Sequence, residues 1–434
     1  MVEERRRPAV QQSDASTSNG RNKSRIAKPF RINKQEVVAA WERVRNNGGA
    51  AGVDKQTIGL FENDLKNNLY AVWNRMSSGS YFPEPVRRVE IPKGDGKLRP
   101  LGIPTVKDRL AQEIVRARLE VKLEAVFDPD SYGFRPGRSA LDAVGVCRKR
   151  CFEFKWVVDV DIEKFFDTID HEKMMKAVRF HCGEPEQKWM ILYIERWLKA
   201  GVLKDGELQP TVRGTPQGGV ISPLLANLYL HYAIDEWMNR TYPECPFERY
   251  ADDFVIHCSS ESQAQEVMAA LDKRLIEVGL KLHPEKTRIV HCGAKRKTTQ
   301  KDNISFTFLG YTFQPRRAKN KKTGQLFTSF LPAVSTKAKQ KLRNKLKEMK
   351  LFKNTSQDVF ELARRLNPII RGWLNYFTKY SKAIATSISI YLDSCLIHWV
   401  MRKYRLGWKK AILMLNRIYA WRPQYFVHWQ FFRF

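Results

Sequence analysis

Two adjacent carboxylates, Asp252 and Asp253, lie in the run FERYADDFVI at residues 247–256. The aromatic and apolar residues on either side are typical of two short strands, which places the acidic pair at the turn between them. Two carboxylates about 4 Å apart repel each other by several kcal/mol at intermediate dielectric constant. A half-buried pair therefore either takes up a proton or binds a cation. Because Asp is also common in ordinary polar turns, the pair alone leaves both interpretations open.

A second acidic pair occurs earlier in the chain, where Asp159 and Asp161 alternate with Val158, Val160 and Ile162. Side chains along a strand point alternately to its two faces, so both carboxylates share one face and the apolar residues share the other. An acidic strand beside an acidic hairpin is suited to hold two divalent cations. Such ions activate a 3′-hydroxyl and stabilise a leaving pyrophosphate. Each acidic segment alone is compatible with a structural role, and together they favour catalysis.

A glycine-rich loop, RGTPQGG at residues 213–219, precedes Ser222 and Pro223. Ser222 is predicted to be the N-cap and Pro223 the first residue of a helix that covers residues 224–232. Glycines let a backbone approach a base or phosphate closely, and Gln217 in this loop could donate a hydrogen bond to a sugar or base. A plain connecting loop is the alternative.

A basic segment at residues 87–100 is predicted to form a hairpin around the Gly-Asp-Gly turn at its centre. Lys93 and Arg99 flank this turn. A lysine and an arginine in these positions could bind a triphosphate, the first as a point charge and the second as a two-pronged donor. A solvated basic hairpin is the alternative interpretation.

The charge balance of the 434 residues is unusual, because 76 Lys and Arg against 46 Asp and Glu leave a formal charge of +30. Such an excess favours a polyanionic partner, most simply nucleic acid. The chain contains no uninterrupted apolar run of about 18 residues and no signal-peptide pattern, so we expect a cytoplasmic protein without membrane contact. Seven cysteines without a C-x-x-C pair argue against a disulfide framework and a zinc ribbon. Three His-Cys dipeptides could suggest metal ligands, but adjacent residues seldom bind one ion together, so we interpret the dipeptides as coincidental.

The chain changes character along its length. Residues 1–29 are rich in polar residues and are expected to be disordered. Helices are predicted at residues 37–44, ended by the sequence NNGG, and at residues 60–76. Strands and helices alternate over residues 81–313, and the chain beyond Pro332 is helical and basic.

Two apolar stripes mark the helices of this last part. The first runs through residues 335–350, with lysines and arginines around the rest of the helix. The second has a 4-3-4-3-4 spacing from Val359 to Phe377 and is interrupted by Pro368, which is expected to open a new helix. The segment after Ser394 is rich in aromatic and basic residues.

Taken in order, these segments resemble the motifs of reverse transcriptases, and specifically those of the group II intron-encoded reverse transcriptase/maturase family of the bacterial type that lacks an endonuclease. The resemblance extends over roughly residues 31–400. The matching polymerase blocks, followed by the maturase motif, are residues 89–104, 131–139, 161–166, 214–223, 250–253, 280–287, 308–311 and 368–377.

The resemblance implies a metal-binding triad of Asp161, Asp252 and Asp253. The family's aspartate lies five residues before an aromatic steric gate, which selects Asp161 with Phe166 as the gate. Phe166 would exclude a ribose 2′-hydroxyl by packing under the sugar. Asp159 would then lie next to the metal-binding residues and support them without binding the metal ions itself.

The resemblance also implies nucleotide contacts. Lys93 and Arg99 correspond to residues that bind the triphosphate, and Gln217 to a residue near the incoming nucleotide. Lys286 corresponds to a lysine proposed to protonate pyrophosphate. Tyr311 and its neighbours would form the primer grip, while the buried stripe favours a core position for Trp373.

The expected fold class is α+β, a right-hand polymerase whose fingers and palm combine an antiparallel sheet with helices and whose thumb is α-helical. The expected divisions are a disordered basic tail at 1–29, an N-terminal extension at 30–80, fingers and palm at 81–315, a thumb/maturase domain at 316–394, and a basic aromatic tail at 395–434 without an endonuclease domain.

The implied activity is RNA-directed DNA synthesis with two Mg²⁺ ions, for which Mn²⁺ could substitute. The implied partners are an RNA template with a DNA or RNA primer, deoxynucleoside triphosphates, target DNA, and a structured intron RNA whose splicing and mobility the protein would assist. Two alternatives stay open: a host-adopted reverse transcriptase acting in DNA repair or phage defence, and an RNA-binding splicing maturase without polymerase activity. Intact carboxylates disfavour the second.

Overall fold

The computed structural model describes residues 28–92, 98–293, 304–319 and 323–431. Lys93 and most of the segment expected to be disordered lie outside these residues. Up to the end of the palm the elements are α1 (Lys34–Asn47), α2 (Ile58–Glu62), α3 (Leu65–Ser78), β1 (Val86–Pro92), β2 (Leu98–Ile103), α4 (Val106–Glu124), α5 (Ala140–Glu153), β3 (Trp156–Asp161), α6 (Phe165–Thr168), α7 (His171–His181), α8 (Lys188–Lys199), β4 (Val202–Lys204), β5 (Glu207–Gln209), α9 (Ser222–Leu230), a π-helix (His231–Asp235), α10 (Glu236–Thr241), β6 (Phe247–Tyr250), β7 (Asp253–Cys258), α11 (Glu261–Glu277) and β8 (Arg288–His291).

The remaining elements form a small sheet and a helical thumb. They are β9 (Phe306–Phe308), β10 (Tyr311–Lys319), β11 (Leu326–Val334), α12 (Thr336–Glu348), α13 (Val359–Phe377), α14 (Ala383–Tyr404) and α15 (Trp408–Trp421). The three sheets have the strand orders β2-β1-β4-β5, β6-β7-β3-β8 and β11-β10-β9. The protein is therefore an α+β right-hand polymerase fold with fingers, palm and thumb.

Local sequence signals account for several helix boundaries. Asp170 caps α7, and its carboxylate accepts a hydrogen bond from the Lys173 amide at 3.0 Å. Ser139 begins α5 with a capping box, as Asp358 does for α13. Gly48 ends α1, as the NNGG sequence predicts.

Three predicted helix boundaries were wrong. The stretch expected to form one helix at residues 60–76 is divided into α2 and α3, and Asp64 occupies the N-cap position of the second helix. Ser222 is the first residue of α9 rather than its N-cap, and its hydroxyl accepts a hydrogen bond from Thr215 at 2.8 Å. No new helix begins at Pro368, which lies inside α13. Pro368 is on the solvent-exposed face, where water can satisfy the carbonyl group that lacks an N–H partner.

The palm sheet separates two cores. Val158, Val160 and Phe254 pack with α4, α7, α9 and α11 on one side of it. Val157 and Val255 pack with α5, β9 and β10 on the other side. Since Asp159 and Asp161 alternate with Val158 and Val160, they belong to this second face, as the period of two predicts.

The thumb has its own core, which joins residues from α12 to the segment after α15. The division expected after Ser394 falls within α14, whose Leu392 and Leu396 are both buried in this core. By length and composition α14 could cross a membrane, with a mean hydropathy of 1.3, but 56% of that stretch is buried inside the protein. We therefore interpret α14 as the central helix of the thumb.

Candidate active site

The acidic hairpin brings three carboxylates together. Tyr250 pairs with Asp253 across β6 and β7, so only Ala251 and Asp252 form the connecting turn. Asp253 in turn pairs with Asp161 across β7 and β3. Ala251 has φ of +57°, the left-handed conformation that tight two-residue hairpin turns require. Asp161 and Asp253 are therefore neighbours in the sheet, and Asp252 adjoins them in the turn.

A buried arginine supports this turn from within. Arg249 is 0% exposed and forms an ion pair with Asp235, with 2.7 Å between Nε and Oδ1. It also donates to the carbonyl oxygen of Ala251 at 3.2 Å and to Oδ1 of Asn227 at 3.0 Å. Burial acts to raise the pKa of Asp235, but the pairing with Arg249 outweighs burial and holds that pKa below its ordinary value. The charged pair thus fixes the backbone that carries Asp252.

Gly133 closes the network on the other side of the turn. The Asn227 side-chain amide donates to the Gly133 carbonyl oxygen at 2.6 Å. A Cβ atom on Gly133 would lie 2.5 Å from the backbone nitrogen of Ala251, a separation that real contacts do not reach. Sequence reasoning missed Arg249, Asp235 and Asn227. The available signal was a charged or polar residue inside segments that are otherwise apolar.

The electrostatics of the carboxylates favour a bound cation. Burial raises the pKa of Asp253 to about 8, and repulsion from Asp159, Asp252 and Asp161 adds to this effect. Burial likewise raises the pKa of Asp252, with a further contribution from Asp161. A carboxylate cluster that repels itself in this way is stabilised by protons or by metal ions. The oxygen donors present fit a hard divalent cation such as Mg²⁺ or Mn²⁺.

Backbone contacts bring the segment at residues 281–287 to the end of β3. The His283 amide donates to the Asp161 carbonyl oxygen at 2.8 Å, and the Glu163 amide donates to the Lys281 carbonyl oxygen at 2.9 Å. As a result Lys286 Nζ lies 3.1 Å from both carboxylate oxygens of Asp161. Lys286, which the motif comparison had assigned to pyrophosphate, therefore contacts an acidic residue of the site directly.

Asp159 has a different partner. Arg288 lies opposite it on β8, and their side chains form an ion pair at 3.1 Å. Burial raises the pKa of Asp159 to about 6, and the charge of Arg288 opposes that shift. Asp159 also raises the pKa of Asp253, so it acts on the triad through its charge.

A cavity of about 250 Å³ lies between the fingers sheet, α6 and the glycine-rich loop. Phe166 and Gln217, which the sequence assigned to the nucleotide, both line it. Two cations that sequence reasoning did not assign, Arg88 and Arg213, line it as well. Arg99 is exposed, and its charge acts to lower the pKa of Asp252, so it also faces the acidic cluster.

The glycine-rich loop is anchored on both sides of this cavity. The Thr215 amide donates to the Phe166 carbonyl oxygen at 2.8 Å, and the Gly102 amide donates to the Gln217 carbonyl oxygen at 2.7 Å. Gly214 has φ of +82°, and a Cβ atom there would lie 2.8 Å from the Phe166 carbonyl oxygen. Glycine at this position therefore lets the loop approach the backbone of α6.

The thumb contacts the site through the turn between β9 and β10. The backbone of Leu309 in this turn forms a hydrogen bond with Asp253, which acts to lower the pKa of that carboxyl group. The Tyr376 hydroxyl of α13 donates to the Leu309 carbonyl oxygen at 2.8 Å, and the Tyr311 hydroxyl donates to the Tyr376 carbonyl oxygen. Trp373 is partly buried, with its ring centroid 4.7 Å from that of Phe377.

The cysteines take no part in this site. All seven are free. His257, from one of the His-Cys dipeptides, lies within 4.8 Å of potential ligand atoms of Cys147 and Glu248. Glu248 is already paired with both Arg150, at 2.6 Å, and His257, at 2.7 Å. We interpret this cluster as a paired polar network in the core, although the buried Nδ1 of His257 has no hydrogen-bond partner among the described residues.

Comparison with known proteins agrees with this arrangement. The family model "Reverse transcriptase (RNA-dependent DNA polymerase)" matches residues 91–313, and the model "Group II intron, maturase-specific domain" matches residues 339–416. Protein YkfC of Escherichia coli is 31% identical over 354 residues, which cover 72% of this chain and 87% of YkfC.

The group II intron-encoded protein LtrA of Lactococcus lactis is 38% identical over 196 residues, which cover 44% of this chain and 32% of LtrA. A solved structure of telomerase from Candida albicans is 13% identical, and the alignment covers 83% of this chain and 65% of the telomerase chain. The TM-score of this alignment is 0.45. The two family models and the relatives together establish that this chain belongs to the group II intron reverse transcriptase/maturase family.

Proposed function

We propose that this protein copies RNA into DNA at the site formed by Asp161, Asp252 and Asp253, with two Mg²⁺ ions held by these carboxylates. The observation that carries the proposal is the cross-strand pairing of Asp161 with Asp253, with Asp252 in the adjoining turn. When bound, divalent ions would activate the primer 3′-hydroxyl and stabilise the leaving pyrophosphate. Reverse transcriptases generally use divalent metal ions, and the raised pKa of Asp253 supports the same requirement here.

The residues around the triad bind and orient the substrates. Arg88, Arg99 and Arg213 offer charge-assisted hydrogen bonds to a triphosphate. Phe166 lies in the same cavity as Gln217, and its ring would pack under the sugar and exclude a ribose 2′-hydroxyl. Lys286 is held beside Asp161, from where its ammonium group could donate a proton to the departing pyrophosphate.

We further propose that the thumb binds group II intron RNA and so assists splicing and mobility. Its first helix, α12, presents basic residues over most of its surface, while its buried stripe consists of Leu342 and Leu346. Lysines placed in this way suit phosphate contacts, and such binding weakens as salt rises.

Primer extension on an RNA template tests the polymerase proposal. The Asp252→Ala variant should lose extension. The control Asp272→Ala, which removes a carboxylate on α11 away from the site, should extend like the parent. Extension by Asp252→Ala at the parental rate would show that the site is wrongly assigned.

A splicing assay with the same variants separates the second role from the first. If RNA binding alone drives splicing, Asp252→Ala should splice a group II intron RNA as well as the parent does. A parallel loss of splicing and polymerisation would contradict the independence of the two roles.

A further inference from the structure

A groove of about 940 Å³ lies on the palm between α7, the π-helix with α10, and the end of α11. We call it the α7 groove. The residues that define it here are Lys173, Lys176, Arg179, Phe180, Tyr232 and Trp237. The helices that form it pack on the face of the palm sheet occupied by Val158 and Val160. The α7 groove is therefore on the opposite side of this sheet from the catalytic carboxylates.

The groove has a positive charge that its own acidic residues do not cancel. Its two glutamates are already paired, Glu236 with Arg240 at 2.8 Å and Glu277 with Arg274 at 3.2 Å. The exposed Lys176 and Arg179 belong to the face of α7 that points away from its buried residues. The charge complement of this surface is a polyanion.

Phe180 presents an aromatic face beside these charges. It is 76% exposed, although it lies at the end of a regular helix whose apolar face is already buried. Tyr232 meets it edge to face, with ring centroids 6.2 Å apart at 83°. An isolated exposed phenylalanine contributes little to folding, but one beside cations suits base stacking.

The floor of the groove is held rigidly. Arg274 donates to the carbonyl oxygens of Tyr232 and Ala233, both at 3.1 Å, and so satisfies two backbone groups of the π-helix. The Tyr232 hydroxyl forms a hydrogen bond of 2.7 Å with Nε2 of His181. The position of Tyr232 therefore does not depend on a ligand. Short π-helical segments occur frequently at functional sites.

We propose that the α7 groove binds a single-stranded segment of RNA, separately from the polymerase cleft. Lys176 and Arg179 contact phosphate groups, and Phe180 stacks on one unpaired base. The combination of charge with an exposed ring distinguishes this partner from duplex, whose bases are already stacked. This surface has no role in nucleotide addition, so the proposal stands independently of the polymerase assignment.

Photo-crosslinking locates the contact directly. A uridine oligomer of about 20 nucleotides carrying 4-thiouridine is mixed with the full chain, whose cleft is first filled with a primer–template duplex. The expected crosslink lies in the tryptic peptide that begins at Phe180, and it should persist at saturating duplex. Crosslinks confined to peptides outside the α7 groove would overturn the proposal.

Equilibrium binding of the same oligomer tests the assigned residues. The triple variant Lys176→Ala, Arg179→Ala, Phe180→Ala should bind roughly tenfold more weakly. Loss of two phosphate contacts should also reduce the slope of log affinity against log salt by about 1.4. Phe180→Ala alone should weaken binding without changing that slope. Primer extension on a short duplex should be unchanged in both variants, because none of these residues lies at the acidic site.

Lys188→Ala with Lys199→Ala on α8 is the matched control, because it removes two exposed positive charges from another helix. This control should retain affinity and most of the salt slope. Equal losses in control and groove variants would reduce the effect to net charge and contradict a defined site. Unchanged RNA binding with altered self-association in sedimentation would identify the groove as a protein contact surface and would also overturn the proposal.

Discussion

Asp161 and Asp253 lie directly opposite each other on adjacent antiparallel strands of the palm, β3 and β7. This register places like charges side by side at the end of the palm sheet, where desolvation raises the pKa of Asp253 to about 8. The cost of holding these charges together is what a bound cation would relieve. The pairing thus links the fold of the sheet to the chemistry of the site.

Metal binding should release a proton. The pKa of Asp253 in the folded, metal-free protein is about 8, above the ordinary value of about 3.9 for an unfolded chain. The folded state therefore holds a proton that the unfolded state has lost, and this group's contribution to the free energy of unfolding falls as pH rises from about 4 to about 8. Near pH 7, Mg²⁺ must displace that proton.

Titration calorimetry near pH 7, in two buffers of different ionisation enthalpy, should show release of roughly one proton on Mg²⁺ binding, and the apparent affinity should increase toward pH 8. Asp253→Asn should release none. An affinity for Mg²⁺ that does not change with pH would contradict the assignment of Asp253 as a ligand that must first lose its proton.

Arg249 should act as a positioning residue for Asp252. Removing its charge alone leaves Asp235 buried without a partner, so Arg249→Met should lower the free energy of unfolding by about 3–5 kcal/mol. The double variant Arg249→Met, Asp235→Leu removes both charges and should recover much of that stability. It still lacks the hydrogen bond to the Ala251 carbonyl group.

Urea unfolding and primer extension together test this role. We expect the double variant to remain folded but to extend primers about 10- to 100-fold more slowly, because the turn that carries Asp252 is no longer fixed. Full activity in the stable double variant would show that the arginine supports folding only.

Lys286→Ala should affect chemistry more than stability. The ion pair with Asp161 is largely exposed, with side-chain exposures of 57% and 42%, so its loss should change the free energy of unfolding by less than about 1 kcal/mol. If the ammonium group donates a proton to pyrophosphate, single-turnover incorporation should slow by roughly 100-fold or more.

Lys286→Arg is the informative comparison for this prediction. Arginine retains the positive charge beside Asp161 but is a poor proton donor, so it should preserve nucleotide binding while remaining slow. If the arginine variant were as fast as the parent, the lysine would act through its charge and not through proton transfer.

Phe166→Ala should relax discrimination against ribonucleotides. Phe166 lines the cavity that also contains Gln217, and shortening its side chain opens the space in which a 2′-hydroxyl would fit. The ratio of kcat/KM for deoxynucleotide and ribonucleotide should fall by at least about tenfold. Phe166→Tyr, which retains the ring, should keep most of the discrimination. A ratio unchanged in Phe166→Ala would rule out the steric gate.

Helix and strand periodicities could be predicted from sequence because they depend on neighbours within a few residues. The alternation around Asp159 and Asp161 and the end of α1 at the NNGG sequence are such cases. The prediction that Pro368 opens a new helix was wrong because it ignored packing. A proline disrupts a helix most where the carbonyl group that loses its N–H partner is buried. Only the packing of α13 shows that Pro368 faces solvent.

The contacts that connect distant segments could not be obtained in this way. Lys286 and Asp161 are 125 residues apart in the chain, and only the backbone pairing near His283 brings them together. Arg249 looks like an ordinary polar residue of a strand until its burial against Asp235 is known. A charged residue in an otherwise apolar segment marks Arg249 as unusual, but no local pattern identifies its partner or that of Lys286.

By itself, the sequence determined the family, the order of its motifs and the identity of the acidic residues, because these depend on residue type and spacing. Only the tertiary structure decided that Asp161 and Asp253 face each other, that burial raises the pKa of Asp253, and that the α7 groove lies on the other side of the sheet. Register and burial arise from packing between segments far apart in the chain, which local patterns do not encode.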